Sequence, residues 1–591
     1  MEPAISHIAD AGLAQEPEAM PEPVMEMVRE EPVPAAPAQP PRHSHNLRPR
    51  KPKLVSHISV GKSLKMYGKK ALVEMMRELQ QMLDKEVWTP LDPKKLSKSQ
   101  LRSAIRSSLF LKEKFFPSGE FDKLKGRLVA GGNMQDRALY GEEDLSSPTA
   151  TTSTVFIVAA IAAREHRKVV TLDIGGAYLN AKLESEVIIN IDPLLSQILT
   201  YLDCSLHDLL TDDGTLYLRL DKALYGCIEA AKLWYKHLRK TLEESYGFVV
   251  FNPMDICLCN KMVGGVQVTI VIHVDDLMVT SVSQALLDAT ILFIQEKYMK
   301  VTVHDEPVLP YVGMNFDFSV KGQVTVSMEG YVKDLIETYP DWSKKTASPA
   351  SSALFTIDEE ATLLSPGDKE ILRSAVAKIL YLAKRVRPEL LTACIFLATR
   401  VSCPTEQDMG KLKLVLGYLH TEPDLSITLR PTGRMRVEAY IDASYAVHED
   451  CKSHSGVLIS LGGGGPIYME SSKQKLVSKS STEAELIALS DGISQVIWTR
   501  ELLLAQGYSD VGPAIVYQDN MSAMALAEKG RSTAKRTRHI NIRYFFVKDR
   551  IESCEVEIVH LPTEEMIADI LTKPLQGDLF KYLRARLLNL L

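Results

Sequence analysis

A chain of 591 residues, 45% hydrophobic and 24% charged, has ordinary globular composition, and at roughly 100 to 200 residues per domain it should hold about three or four domains. It contains no apolar run of the about 18 residues a membrane-spanning helix needs, and its acidic, Pro-rich start lacks a signal-peptide pattern, so an intracellular protein without membrane contact is expected. A net charge of −6 argues against nucleic-acid binding by the surface as a whole and leaves that role to local basic clusters.

Residues 1–60 read as a disordered Pro/Glu-rich tether ending in a basic patch at 48–53 (RPRKPK), which suits a nuclear localisation signal or a solvated linker. The run 69–85 (KKALVEMMRELQQMLDK) places Leu72, Met75, Met76, Leu79, Met82 and Leu83 at helical spacing and predicts a packed entry helix. From 109 to 318 short β-branched runs mix with helices without βαβ alternation, which indicates an α+β domain spanning 61–320. Cys257 and Cys259 alternate on an apolar strand there, as a buried reduced pair rather than a metal site. Residues 321–434 read as mainly helical, with helices over 369–384 and 407–420. Over 435–575 the order is strand, strand with a Gly-rich turn at 461–466, helix, strand, helix, strand, helix, a mixed αβ domain followed by a tail at 576–591.

Two groups of acids carry the chemistry. The run 169–181 (VVTLDIGGAYLNA) is an apolar strand ending in Asp173, followed by two glycines and Tyr178; the run 267–280 (QVTIVIHVDDLMVT) is a hairpin with Asp275 and Asp276 at its tip. Asp is a common turn former, so each acid also has an ordinary structural role. Taken together they offer what nucleotide polymerisation requires, carboxylates on rigid elements able to hold two Mg²⁺ about 3.5 to 4 Å apart. The second group lies beyond 435: Asp442 in VEAYIDASY, Glu485 in SSTEAELIAL, Asp519 at the end of AIVYQDN, and Asp569 opening a helix in IADILT. Glu485 has a competing role, because Thr482 and Glu485 form a T-x-x-E capping box. The stretch 536–546 (RTRHINIRYFF) mixes cations with aromatics, as a hybrid-gripping surface or as a solvated helix face.

These motifs resemble those of copia-type (Pseudoviridae-like) LTR retrotransposon Pol polyproteins, in their reverse transcriptase and ribonuclease H region. KGRLVAGG at 125–132, with Gln135 and SPTA at 147–150, resembles the fingers motif KARLVAKG. KALYGCIEAAKLWY at 222–235 resembles KxLYGLKQAPRxWY, YVGM at 311–314 resembles the primer-gripping FLGL, and 372–388 resembles YRxxVGxLLYLxxxTRP. The second group resembles DASY, SSTEAEYxAL, xCDNxSA and ADxxTK, and 536–546 resembles RTKHIDIRYHF with Asn541 in place of Asp.

The resemblance implies a right-hand polymerase with fingers and palm at 61–320, a thumb and connection at 321–434, and a ribonuclease H-like domain at 435–575. It implies an RNA- and DNA-directed DNA polymerase, also able to degrade the RNA of a hybrid, with Asp173, Asp275 and Asp276 as the palm ligands. Asp442, Glu485, Asp519 and Asp569 become the second metal set. Each site would take two Mg²⁺, with Mn²⁺ as the alternative. Lys125, Arg127, Tyr178 and Glu229 become nucleotide-binding residues, and Gly313, Arg536, Arg538, His539 and Arg543 contact primer or hybrid. Without the resemblance, Lys125 and Arg127 read as surface charges and Tyr178 as a half-buried core residue. The implied partners are RNA template, DNA primer, RNA–DNA hybrid and dNTPs, in the cytoplasm (a virus-like particle) or the nucleus. No protease D-[ST]-G motif, CCHC knuckle or HHCC pattern occurs, so protease, capsid and integrase are expected on other products of the parent element. The chain departs from the family at His273 (Tyr), Glu229 (Gln) and Ala231 (Pro). A second reading therefore stays open: a decayed or co-opted copy that binds nucleic acid without efficient polymerisation.

Overall fold

The structure, a computed structural model, describes residues 58–115, 121–141, 146–251, 254–342, 344–529 and 538–591. The expected tether and its basic patch at 48–53 lie outside the described residues, as does Arg536. The chain from Lys53 to Leu591 is one compact unit.

The entry helix runs Lys69–Asp84 and buries Ala71, Met75, Leu79 and Met82, one face at a spacing of three and four. Leu72, expected on that face, is 37% exposed, and the smaller Ala71 takes the position. Beneath this face lies the fingers hairpin, Ile105–Phe115 paired antiparallel with Phe121–Ala130, whose Leu109, Leu111, Leu124 and Leu128 complete a separate fingers core.

The palm is a six-stranded sheet in the order Val301–His304, Lys168–Ile174, Asp276–Ser281, Val266–His273, Asp255–Val263, Val249–Phe251. Cys257 and Cys259 are buried free thiols in it. The connection holds the helices Pro366–Ala383, Leu391–Arg400 and Glu406–Thr421. It is less purely helical than expected, because Val324–Ser327 and Ile427–Leu429 pair with each other and extend the Val308–Tyr311/Met314–Asp317 hairpin into a four-stranded sheet. Four-residue and three-residue strands whose partners lie far away in sequence leave no local period to read.

The last region is a five-stranded mixed sheet. Val437–Ser444, His454–Leu461 and Pro466–Lys473 form an antiparallel meander, and Ala514–Gln518 and Val556–His560 add in parallel on the other side of Val437–Ser444. This is the ribonuclease H-like arrangement. The 25-residue helix Ser481–Ala505 packs across it. Residues 576–591, expected as a tail, instead form the helix Gly577–Leu588, which buries Phe580, Leu583, Leu587 and Leu588.

Palm, connection and ribonuclease H-like sheet share one continuous core. Trp498 donates its indole N–H to the Met254 carbonyl (2.9 Å), Gln506 accepts from Asn260 (3.4 Å), and Tyr508 donates to Glu165. The Gly462–Gly465 turn closes against residues 428–432, where a Cβ on Gly465 would lie 2.1 Å from the Thr428 carbonyl oxygen. No helix among the described residues is long and apolar enough to cross a membrane.

Candidate active sites

Asp173 is the penultimate residue of its strand and stands in register with Asp276 on the neighbouring strand. Between His273 and Asp276 the chain turns through Val274 and Asp275, with Val274 at φ 60°, a left-handed conformation that a β-branched side chain adopts only when surrounding bonds impose it. Those bonds are present. The Trp234 indole N–H holds the Val274 carbonyl at 2.7 Å, and the Ile174 amide holds the Asp275 carbonyl at 3.1 Å. Trp234 belongs to the 222–235 motif, so one job of that motif is to pin the turn that presents Asp275.

Burial, reinforced by the Asp173 charge, raises the Asp275 carboxyl above the usual carboxylate range, against the pull of Arg127 and Lys125. The fingers cations therefore face the palm acids. Arg127 lies over the Tyr225 ring at 5.1 Å, and Tyr225 meets the Tyr178 ring edge-on at 4.7 Å. Half-buried Tyr178 is raised by burial and then by Asp275, so it stands beside the turn that carries Asp275. Asp276 instead bears on Tyr311, a buried residue of the next hairpin, which separates its surroundings from those of Asp275.

Glu229 precedes the helix Ala230–Lys240, is 6% exposed, and accepts a hydrogen bond from the Ser185 hydroxyl. Ser185 lies 3.3 Å from the Tyr140 hydroxyl, to which Gln135 donates, and Gln135 accepts the Ile228 amide. This network holds the carboxylate in the wall of the fingers. His273 is half-buried and its Nδ1 has no hydrogen-bond partner; burial, with the nearby Arg385, lowers its pKa against the pull of Asp275. Gly313 sits at φ 76° in the hairpin turn, where a Cβ would meet the Tyr381 hydroxyl at 2.7 Å.

The second cluster is tighter. Asp442, Asp519 and Asp569 place carboxylate oxygens within 4.8 Å of one another, and they form the only three-residue acid cluster of this kind among the described residues. Asp442 lies mid-strand opposite Gly456. A side chain on Gly456 would collide with Leu571 and Thr572 at 2.8 Å, so its absence lets the turn carrying Asp569 lie on the sheet beside Asp442. Asp569 is in the middle of a short 3-10 turn, Ile567–Leu571, rather than opening a helix.

Glu485 is 5% exposed and accepts from Gln518 at 3.4 Å. It is not the capping residue: Ser480 caps the helix by accepting the Glu483 amide, and Glu483 turns back to the Lys479 amide. Burial, then Asp442 and Asp519, raise Glu485 well above the usual range. Asp442 is likewise raised, by burial first. Asp569 is pushed up to about 7 by burial and the Asp442 charge.

Two residues inside the quoted ADxxTK match had no role assigned from sequence. The Thr572 hydroxyl donates to Asp442, and Lys573 Nζ lies 2.6 Å from Asp569 Oδ1 and 3.5 Å from Asp442 Oδ1. On the helix Arg538–Glu552, Arg543 pairs with Asp491, Tyr544 is buried and Phe545 is 56% exposed; the side chains of Arg538 and His539 lie outside the described residues.

A palm sheet with an acid turn, fused to a ribonuclease H-like sheet, defines a class: right-hand polymerases carrying that second domain. Residues 109–344 match the family described as "Reverse transcriptase (RNA-dependent DNA polymerase)". The chain is 30% identical over 472 residues to the "Retrovirus-related Pol polyprotein from transposon RE2" of Arabidopsis thaliana, covering 79% of this chain and 31% of that protein. It is 23% identical over 474 residues to the corresponding polyprotein from transposon TNT 1-94 of Nicotiana tabacum, covering 78% and 34%. A foamy viral protease-reverse transcriptase in complex with RNA/DNA hybrid aligns with a TM-score of 0.43 at 11% identity, over 87% of this chain and 55% of that one. Residues 109–344 therefore carry a reverse transcriptase domain, and the chain resembles the Pol polyproteins of copia-type retrotransposons. It spans about a third of the length of the curated relatives it matches.

Proposed function

We propose that the chain polymerises DNA on RNA and DNA templates at Asp173 and Asp275, and cleaves the RNA of an RNA–DNA hybrid at Asp442, Glu485, Asp519 and Asp569. One observation carries the first half: two palm acids meet under cations supplied by a hairpin with its own core. The three carboxylates within 4.8 Å support the second. Hard oxygen donors on rigid elements suit Mg²⁺ or Mn²⁺, and the Lys573 ammonium between Asp442 and Asp569 is in keeping with a site that favours positive charge. Bound as a pair at either site, such ions supply activation of the attacking oxygen and neutralisation of the leaving group.

The protein's own residues do the rest. Lys125 and Arg127 receive the triphosphate of the incoming dNTP, the Arg fork suiting phosphate oxygens. Tyr178 closes the sugar side and excludes a 2′-OH. Asp173 and Asp275 hold the reacting end in place, with Asp276 supporting the turn. The turn at Gly313 approaches the primer, and the helix from Arg538, with His539 and Arg543, the hybrid. In the second site the 2′-OH of the RNA strand selects RNA over DNA. Arabidopsis and tobacco relatives named as Pol polyproteins support a parent element whose other products supply integrase, protease and capsid.

The test is primer extension on poly(A) and cleavage of labelled RNA in a hybrid, each with Mg²⁺ and then with chelator. Loss of both under chelation is expected, and no extension in either ion overturns the polymerase reading. The impaired-copy reading is favoured by Glu229 alone, a buried carboxylate where the family carries Gln. A gain of extension in Glu229→Gln would support it.

A further inference from the structure

Asp442 and Asp569 are almost fully buried, with side chains 1% and 5% exposed, and a buried carboxylate needs a compensating charge. Lys573 provides one. It lies a single turn beyond Asp569, its amide closing on the Asp569 carbonyl at 2.8 Å, so that its side chain folds back over the acids. Thr572, just before it, fixes the other Asp442 oxygen. Lys573 also lines a cleft with room for little more than one water molecule together with Glu389, whose Oε1 pairs with the buried Arg387 at 2.6 Å while its Oε2 has no hydrogen-bond partner.

We infer that Lys573 is a positioning residue of the second carboxylate cluster: it holds Asp442 and Asp569 together while no metal is bound, and gives way when divalent metal takes its place. An ammonium offers three donors and a single compact charge on a flexible stem, which suits a placeholder that must leave. The Thr572 bond and the Gly456 contact keep the turn in position during that exchange.

The inference rests on the metal-binding reading of this cluster, and the test separates the two. In the full chain carrying Asp173→Asn and Asp275→Asn, so that the palm does not contribute, Mn²⁺ binding is titrated and melting is followed with and without Mg²⁺. Lys573→Met should lower the metal-free melting temperature, recover it when Mg²⁺ is added, and bind Mn²⁺ about tenfold more tightly than its parent. Lys573→Arg should retain parental behaviour. A melting loss that Mg²⁺ does not recover, or Mn²⁺ affinity unchanged or weaker in Lys573→Met, overturns the role of Lys573. Absence of Mn²⁺ binding in the parent and in both variants overturns the metal reading together with it.

Discussion

The two carboxylate clusters solve the same electrostatic problem in different ways. The palm acids lie at a strand end and on a strained turn, and the cations facing them, Lys125 and Arg127, come from a hairpin with its own core. The second cluster is gathered where one sheet meets the helix and turn packed on it, and its balancing cation lies one turn from one of its own acids. A site that borrows its counter-charge depends on where another core stands. A site that carries its own depends on local packing.

The sharpest way to break this contrast is by reciprocal substitution. Asp275→Asn should reduce primer extension by about a thousandfold or more while leaving hybrid cleavage within about twofold, and Asp569→Asn should do the reverse. Joint loss of both activities in either variant would show that the clusters are not independent. Next in size is a packing change: Gly456→Ala drives a methyl group into Leu571 and Thr572 and should cost about 1 to 3 kcal/mol, read from denaturant unfolding, with cleavage falling before extension.

A smaller effect depends on pH. In the same region His448 and His454 lie 3.0 Å apart, with His454 also 2.7 Å from Ser471, and burial lowers them to about 4 and about 3. The unfolded chain holds histidine near its ordinary value of about 6.5, so below that pH it binds protons the native state refuses. Stability should be full above this value and fall as pH drops toward 4, by at most about 1.4 kcal/mol per pH unit for each histidine. His454→Thr should roughly halve that slope in unfolding curves taken between pH 4 and 7; an unaltered slope would place the acid sensitivity elsewhere. Smallest of all, Glu229→Gln should change extension by no more than about tenfold, because Ser185 already holds the carboxylate.

Much of this was legible in the sequence, for a physical reason: an acid in or beside an apolar strand leaves a local pattern, Asp173 and Asp442 lying within such strands and Asp275 and Asp519 just beyond them. The entry helix was equally plain, although its period could not choose between Leu72 and Ala71. Overlap defeated the capping assignment, since S-S-T-E-A-E contains both Ser480/Glu483 and Thr482/Glu485 at the same spacing, and only burial of the second acid separates them. The short connection strands and the packing of the last helix depend on partners far along the chain. Lys573 sat inside a recognised motif, but its bond to Asp442 crosses most of a domain, a distance that residue spacing does not encode.

The core shared by palm and ribonuclease H-like sheet has a practical corollary. Excising the chain from Met435 onward would strip the palm from Trp498, Gln506 and Tyr508 and uncover the Gly462–Gly465 turn where residues 428–432 now lie. The C-terminal region is therefore not a detachable cassette, and heat or protease that opens one half exposes the seam of the other.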